Sequence, residues 1–139
     1  MANSTAQILA DRELNYYKGT TPAAPPATFY VALLTAVPTT NTGTGLAEVS
    51  GSSYARQPIT ASTGWSAISQ SADAIHDQIS NVNAITFPAV TTTGYTVVGI
   101  AVYDALTVGN LWEYTSVTSQ AVAVGNQYVI AAGALVIQK

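Results

Sequence analysis

The chain is 139 residues long, 48% hydrophobic and only 8% charged, with a net charge of −3, where ordinary globular proteins carry roughly a quarter charged residues. It is long enough to bury one core, but it carries few of the surface charges that keep a free monomer apart from its neighbours, so it reads as a domain that assembles with other chains. Four dispersed cations rule out the counterion release that drives nucleic-acid binding, no run of about 18 apolar residues is present to cross a membrane, and the absence of cysteine removes disulfide and thiolate–metal frameworks.

Ser4 to Lys18 is predicted as a helix. Ser4 and Gln7 match a capping box, and Gly19 stands where a left-handed residue ends a helix. Its narrow apolar stripe of Ile8, Leu9 and Leu14, with Tyr16 and Tyr17 near the end, is suited to docking on a sheet or another subunit. Asp11, Arg12 and Glu13 interrupt any apolar centre of the kind an export signal needs. Pro22, Pro25 and Pro26 make residues 20–27 a semi-rigid linker between this arm (1–19) and a body spanning 28–139.

The body begins with an apolar run from Thr28 to Thr35, expected as a strand covered on both faces. Pro38 to Gly45, rich in Thr and Gly, reads as an exposed loop. Ser69 to Asn81 fits helical spacing and extended structure about equally. Beyond it the pattern is β: Val82 to Phe87, Tyr95 to Tyr103, Leu111 to Ser116, Gln120 to Val124 and Gln127 to Gln138, with Gly133 marking a bulge in the last. Val-Gly-Asn recurs at 108–110 and 124–126. These elements predict a mostly β protein, an antiparallel sandwich of jelly-roll type behind a short N-terminal α-helix.

Catalytic chemistry finds little support. His76 with Asp73 and Asp77 would share a helical face but supplies too few ligands for a common metal. Gly51-Ser52-Ser53 lacks the strand–elbow–helix setting of a serine nucleophile and reads as a turn. No catalytic, cofactor or metal site is therefore expected. Glu48 and Arg56 are more pointed, because two opposite charges flanking residues 49–55 in so uncharged a chain suit a bidentate contact that closes the loop or reaches a neighbouring chain. Trp65 and Trp112, with the tyrosines, suit core or interface packing better than a sugar platform. Ile8, Leu9, Leu14, Tyr16, Tyr17, Glu48, Tyr54, Arg56, Trp65 and Trp112 are the candidate interface residues.

Several stretches resemble, in their order, short virion structural proteins of tailed bacteriophages. They are Ala2-Asn3-Ser4 with its helix, the run from Pro26 to Thr35, Glu48 to Gln57, Ile85 to Ala89, Val98 to Ala105, Gly109 to Trp112 and Ala132 to Leu135, while Ser66 to Asn81 is longer than that pattern. The resemblance implies a non-enzymatic sandwich made in the host cytoplasm and incorporated into the particle. The first expected role is decoration or cement, with the major capsid protein as the partner whose subunits it bridges; the alternative is a baseplate or fibre attachment with tail proteins as partners, and behind it a glycan- or receptor-binding module. Low charge adds the expectation of a homo-oligomer, dimer or trimer.

Overall fold

A computed structural model describes residues 4–139; Ala2 and Asn3 of the resemblance lie outside them. The body is antiparallel β, and the arm carries the one helix among the described residues. The elements are β1 (Ser4–Thr5), α1 (Gln7–Tyr17), β2 (Thr28–Ala36), β3 (Ala47–Glu48), β4 (Gln57–Thr60), β5 (Ser69–Gln70), β6 (Asp77–Ser80), β7 (Ile85–Thr86), β8 (Tyr95–Tyr103), β9 (Leu111–Val122), β10 (Val129–Ile130) and β11 (Val136–Gln138).

Strands β1-β9-β8-β2-β3 form the main sheet, with β4 also pairing with β2. The predicted core strand lies in its interior, where Val31 to Leu34 are all buried because both faces are covered. On one face Val31, Leu33, Val97, Ile100 and Val122 pack against Ile85, Phe87, Val90, Tyr128, Ile130 and Leu135 from the segments around β7 and β10. On the other, Ala32, Leu34, Ala101 and Tyr103 are covered by Val37, Leu46, Leu111 and Tyr114. The second layer is built from two pieces, a β10-β7 pair and a β11-β6-β5 sheet.

The helix starts later than its capping box implies. Ser4 and Thr5 pair with Tyr114 and Glu113 of β9, so Ala6 becomes the N-cap without a side-chain cap bond. Tertiary carbonyls serve instead: the Ala6 N–H donates to Trp112 O and the Gln7 N–H to Asn41 O, each at 2.9 Å. The C-terminus follows the sequence signal, since Gly19 has φ +70°. The Gly19 N–H donates to Tyr16 O and the Thr20 N–H to Asn15 O, the two bonds of a Schellman closure.

The ambiguous segment is extended, a hairpin of β5 and β6. Two further expectations change. Leu111 to Val122 is one strand rather than two, because its extra residues are absorbed in a register shift opposite Val97 and Gly99. Gln127 to Gln138 is not one strand: Gly133 takes φ +77° in a turn between β10 and β11. Asn81, almost fully buried, organises that turn by accepting from the Leu135 N–H at 2.8 Å and donating to Ala131 O at 2.9 Å.

Candidate assembly surface

Glu48 sits at the end of β3 and Arg56 immediately before β4, so the two short strands that edge β2 bring their side chains together. The guanidinium forks the carboxylate: Nε donates to Oε1 at 2.9 Å and Nη2 to Oε2 at 2.7 Å. The Tyr54 hydroxyl donates to the same Oε1 at 2.8 Å and accepts the Leu33 N–H at 3.0 Å. Arg56 also lies 3.6 Å over the Tyr103 ring, a favourable position for a planar cation. Its side chain is 8% exposed and that of Glu48 22%. Burial acts against the Arg56 charge, but the hydrogen bonds and charge of Glu48 outweigh it and raise its pKa. Burial, joined by the Glu48 charge, likewise pushes the Tyr54 phenol well above its ordinary value.

The remaining Arg56 donor reaches across the molecule. Nη1 donates to Ala105 O and Val108 O, both at 2.8 Å, and so clamps the loop between β8 and β9. The base of that loop is closed by Asp104, whose carboxylate accepts from the Asn110 N–H at 2.6 Å, from Asn110 Nδ2 at 2.8 Å and from Trp112 Nε1 at 3.3 Å. Partial burial works against the Asp104 charge, yet the Asn110 bonds hold its pKa below the usual carboxylate value. Gly109 has φ +72°, and a Cβ there would stand 2.7 Å from both Ala105 Cβ and Asp104 Oδ1.

Between these ties the loop shows two apolar side chains to solvent, Leu106 at 51% and Val108 at 85% exposure. Val108 has φ +59°, a conformation in which a β-branched residue is strained. Arg56 holds its carbonyl in place, so the loop keeps a strained, exposed valine that contributes nothing to the core. Backbone strain of this kind concentrates where a surface has a task. Val108→Asn, which tolerates the left-handed region, is expected to raise the unfolding free energy by about 1 kcal/mol in urea titration; a loss of stability would show that the valine side chain, not the backbone, governs this position.

The arm reaches the same loop through Trp112. This ring is buried, meets Phe29 edge-on at 5.1 Å and lies 4.6 Å beneath the Arg12 guanidinium. Arg12 Nη1 also donates to Ala23 O at 2.8 Å, tying α1 to the linker. Ile8 and Leu9 are half-buried, whereas Leu14, Tyr16 and Tyr17 face solvent. Lys139 Nζ bonds Thr5 Oγ1 and the buried Glu113, 2.5 Å from Oε1. Burial raises the Glu113 pKa, and its Oε2 has no hydrogen-bond partner among the described residues.

The candidate residues thus fall into separate places. Glu48, Tyr54 and Arg56 form one cluster, and Ile8, Leu9, Leu14, Tyr16, Tyr17 and Trp112 belong to the arm and its seat. Trp65 stands apart, half-buried against the main core and bridged to Asn81. With Trp112 buried and Trp65 packed on the core, the two tryptophans do not form an open platform. Leu106 and Val108 escaped the sequence reading; the Val-Gly-Asn tripeptide and the Asp104–Asn110 spacing were the available signals.

His76 and Asp73 meet at 2.7 Å in a turn rather than on a helix. Asp73 also accepts from Ser71 Oγ and from the Ile75 N–H, bonds that lower its pKa. Asp77 is instead paired through its backbone with Lys139. No group of three or more His, Cys, Asp or Glu residues is placed to hold a metal among the described residues. Ser52 and Ser53 lie in a turn at φ +51° and +66° and bond Thr91 and Thr92. No helix of the described residues is long and apolar enough to cross a membrane.

A family model described as podophage GP4 fiber I protein gp80 matches residues 4–138. No curated protein matches the chain.

Proposed function

Because the chain belongs to the podophage GP4 fiber I protein gp80 family, and is therefore a tailed-phage virion structural protein, we propose that it is a non-enzymatic subunit of a fibre assembly. In this reading it meets its partner through the Arg56-clamped loop. The observation that carries it is the loop itself: a buried ion pair and an Asp104 closure hold a strained Val108 and an exposed Leu106 in one fixed presentation. Exposed apolar side chains on a loop already held in place bind without the cost of ordering a mobile one.

Capsid decoration is the second reading, and the specific feature in its favour is a compact body with a proline-tethered helix, suited to a clip with two attachments. The family description favours the fibre. The absence of cysteine permits a direct comparison: a photo-cross-linker attached to Leu106→Cys in assembled particles is expected to capture a tail or fibre protein. Capture of the major capsid protein would replace the fibre reading with decoration.

A further inference from the structure

The arm is held to the body by a short set of contacts, and three of the five body residues they reach, Trp112, Glu113 and Tyr114, lie on β9. They are the two-residue β1 ladder with Tyr114 and Glu113, the Ala6 bond to Trp112 O, the Gln7 bond to Asn41 O, the Arg12 stack on Trp112, and the reach of Lys139 to Thr5. No residue of α1 is fully buried. Its most apolar exposed groups, Leu14, Tyr16 and Tyr17, the last 91% exposed, point away from the body that holds it. An amphipathic helix normally turns such side chains toward its partner.

Between arm and body, residues 20–27 form neither helix nor strand and carry three prolines. Eight residues in an extended proline-rich form span about 25 Å, against a radius of gyration of roughly 14 Å for a domain of this length. The arm can therefore reach the same seat on an adjoining molecule. The bonds to the body broken on leaving its own seat are remade there, because a second copy presents the same Trp112, Asn41, Glu113, Tyr114 and Lys139; extending the linker gives up the Arg12 bonds to Ala23 O and Ala24 O.

We propose that the arm exchanges between copies, residues 4–19 of one molecule occupying the β9 seat of another. The occupant of the seat is thus a second copy of this chain and no other partner. In the exchanged arrangement α1 lies at the junction of two bodies, and Leu14, Tyr16 and Tyr17 gain the neighbouring surface that the closed molecule denies them. Exchange of an identical element is a low-cost route to oligomers, since it requires no new complementary surface. The inference concerns contacts between copies, whereas the fibre reading concerns the partner of Leu106, so either can fail alone.

Cysteines placed at Gln7 and Asn41, both exposed and adjoining through their backbone bond, decide the matter in the full chain. After oxidation, Gln7→Cys/Asn41→Cys is expected to shift from monomer to dimer or higher on a non-reducing gel. A mixture of the two single variants, refolded together, is expected to give a dimer whose linked peptide joins residue 7 of one chain to residue 41 of the other. A double variant that stays monomeric with both thiols consumed, or a mixture lacking the 7–41 linkage between chains, would overturn arm exchange.

Discussion

Replacing Arg56 by alanine is expected to lower the unfolding free energy by about 3–5 kcal/mol, the cost of removing one partner of a buried ion pair. Glu48 would keep a largely buried carboxylate with only Tyr54 as donor, and the carbonyls of Ala105 and Val108 would lose theirs. Glu48 retains 22% exposure, which places the loss toward the lower figure. Arg56→Lys is expected to recover only part of it, because an ammonium cannot fork the carboxylate and span two carbonyls together. Urea titration of the three proteins measures this. A loss for Arg56→Ala below about 1 kcal/mol, the range of exposed pairs, would mean that the fork contributes no more than a surface contact. Since the same guanidinium clamps residues 105–108, capture of the partner by a cross-linker at residue 106 should also fall in Arg56→Ala while the protein is still folded.

Phe87→Ala is expected to cost about 3–5 kcal/mol, combining the lost transfer of a large side chain with the cavity it leaves. Phe87 is fully buried, stacked parallel to Tyr54 at 6.1 Å and edge-on to Tyr128 at 6.3 Å. Against a total stability of about 5–15 kcal/mol for a typical domain, either substitution removes a large fraction. Tyr54 touches both Phe87 and Glu48, so the two losses should not add. The double variant measured beside each single one reports this coupling. A Phe87→Ala loss of less than about 2 kcal/mol would instead indicate that the second layer collapses onto the vacated volume.

The parts of the fold legible in the sequence are those decided by near neighbours. Tyr95–Tyr103 and the run from Thr28 to Thr35 announced themselves through continuous β-branched and aromatic content, and Gly19 ended the helix because only a residue without Cβ enters its left-handed turn freely. The Glu48–Arg56 pair was visible because charge is so scarce that two opposite charges eight residues apart stand out. The capping box at Ser4 was a sound local signal overridden by distance: pairing with Tyr114 and Glu113 took those backbone groups into the sheet.

The rest of the fold rests on contacts between residues far apart in the chain. Asn81 splits the segment from Gln127 to Gln138 through bonds spanning 50 and 54 residues, and no local period encodes a side chain arriving from that far. Arg56 reaches 49 and 52 residues ahead to shape the loop that exposes Leu106 and Val108, so the strained valine is invisible until the guanidinium is placed. A cysteine-free, charge-poor, antiparallel β protein with a helical arm ahead of a proline-rich stretch can be read from residue order alone, because composition, alternation and turn residues act within a few positions. Where the arm sits, which loop is clamped and which apolar groups stay exposed depend instead on hydrogen-bond donors and acceptors that meet only when the sheet has formed.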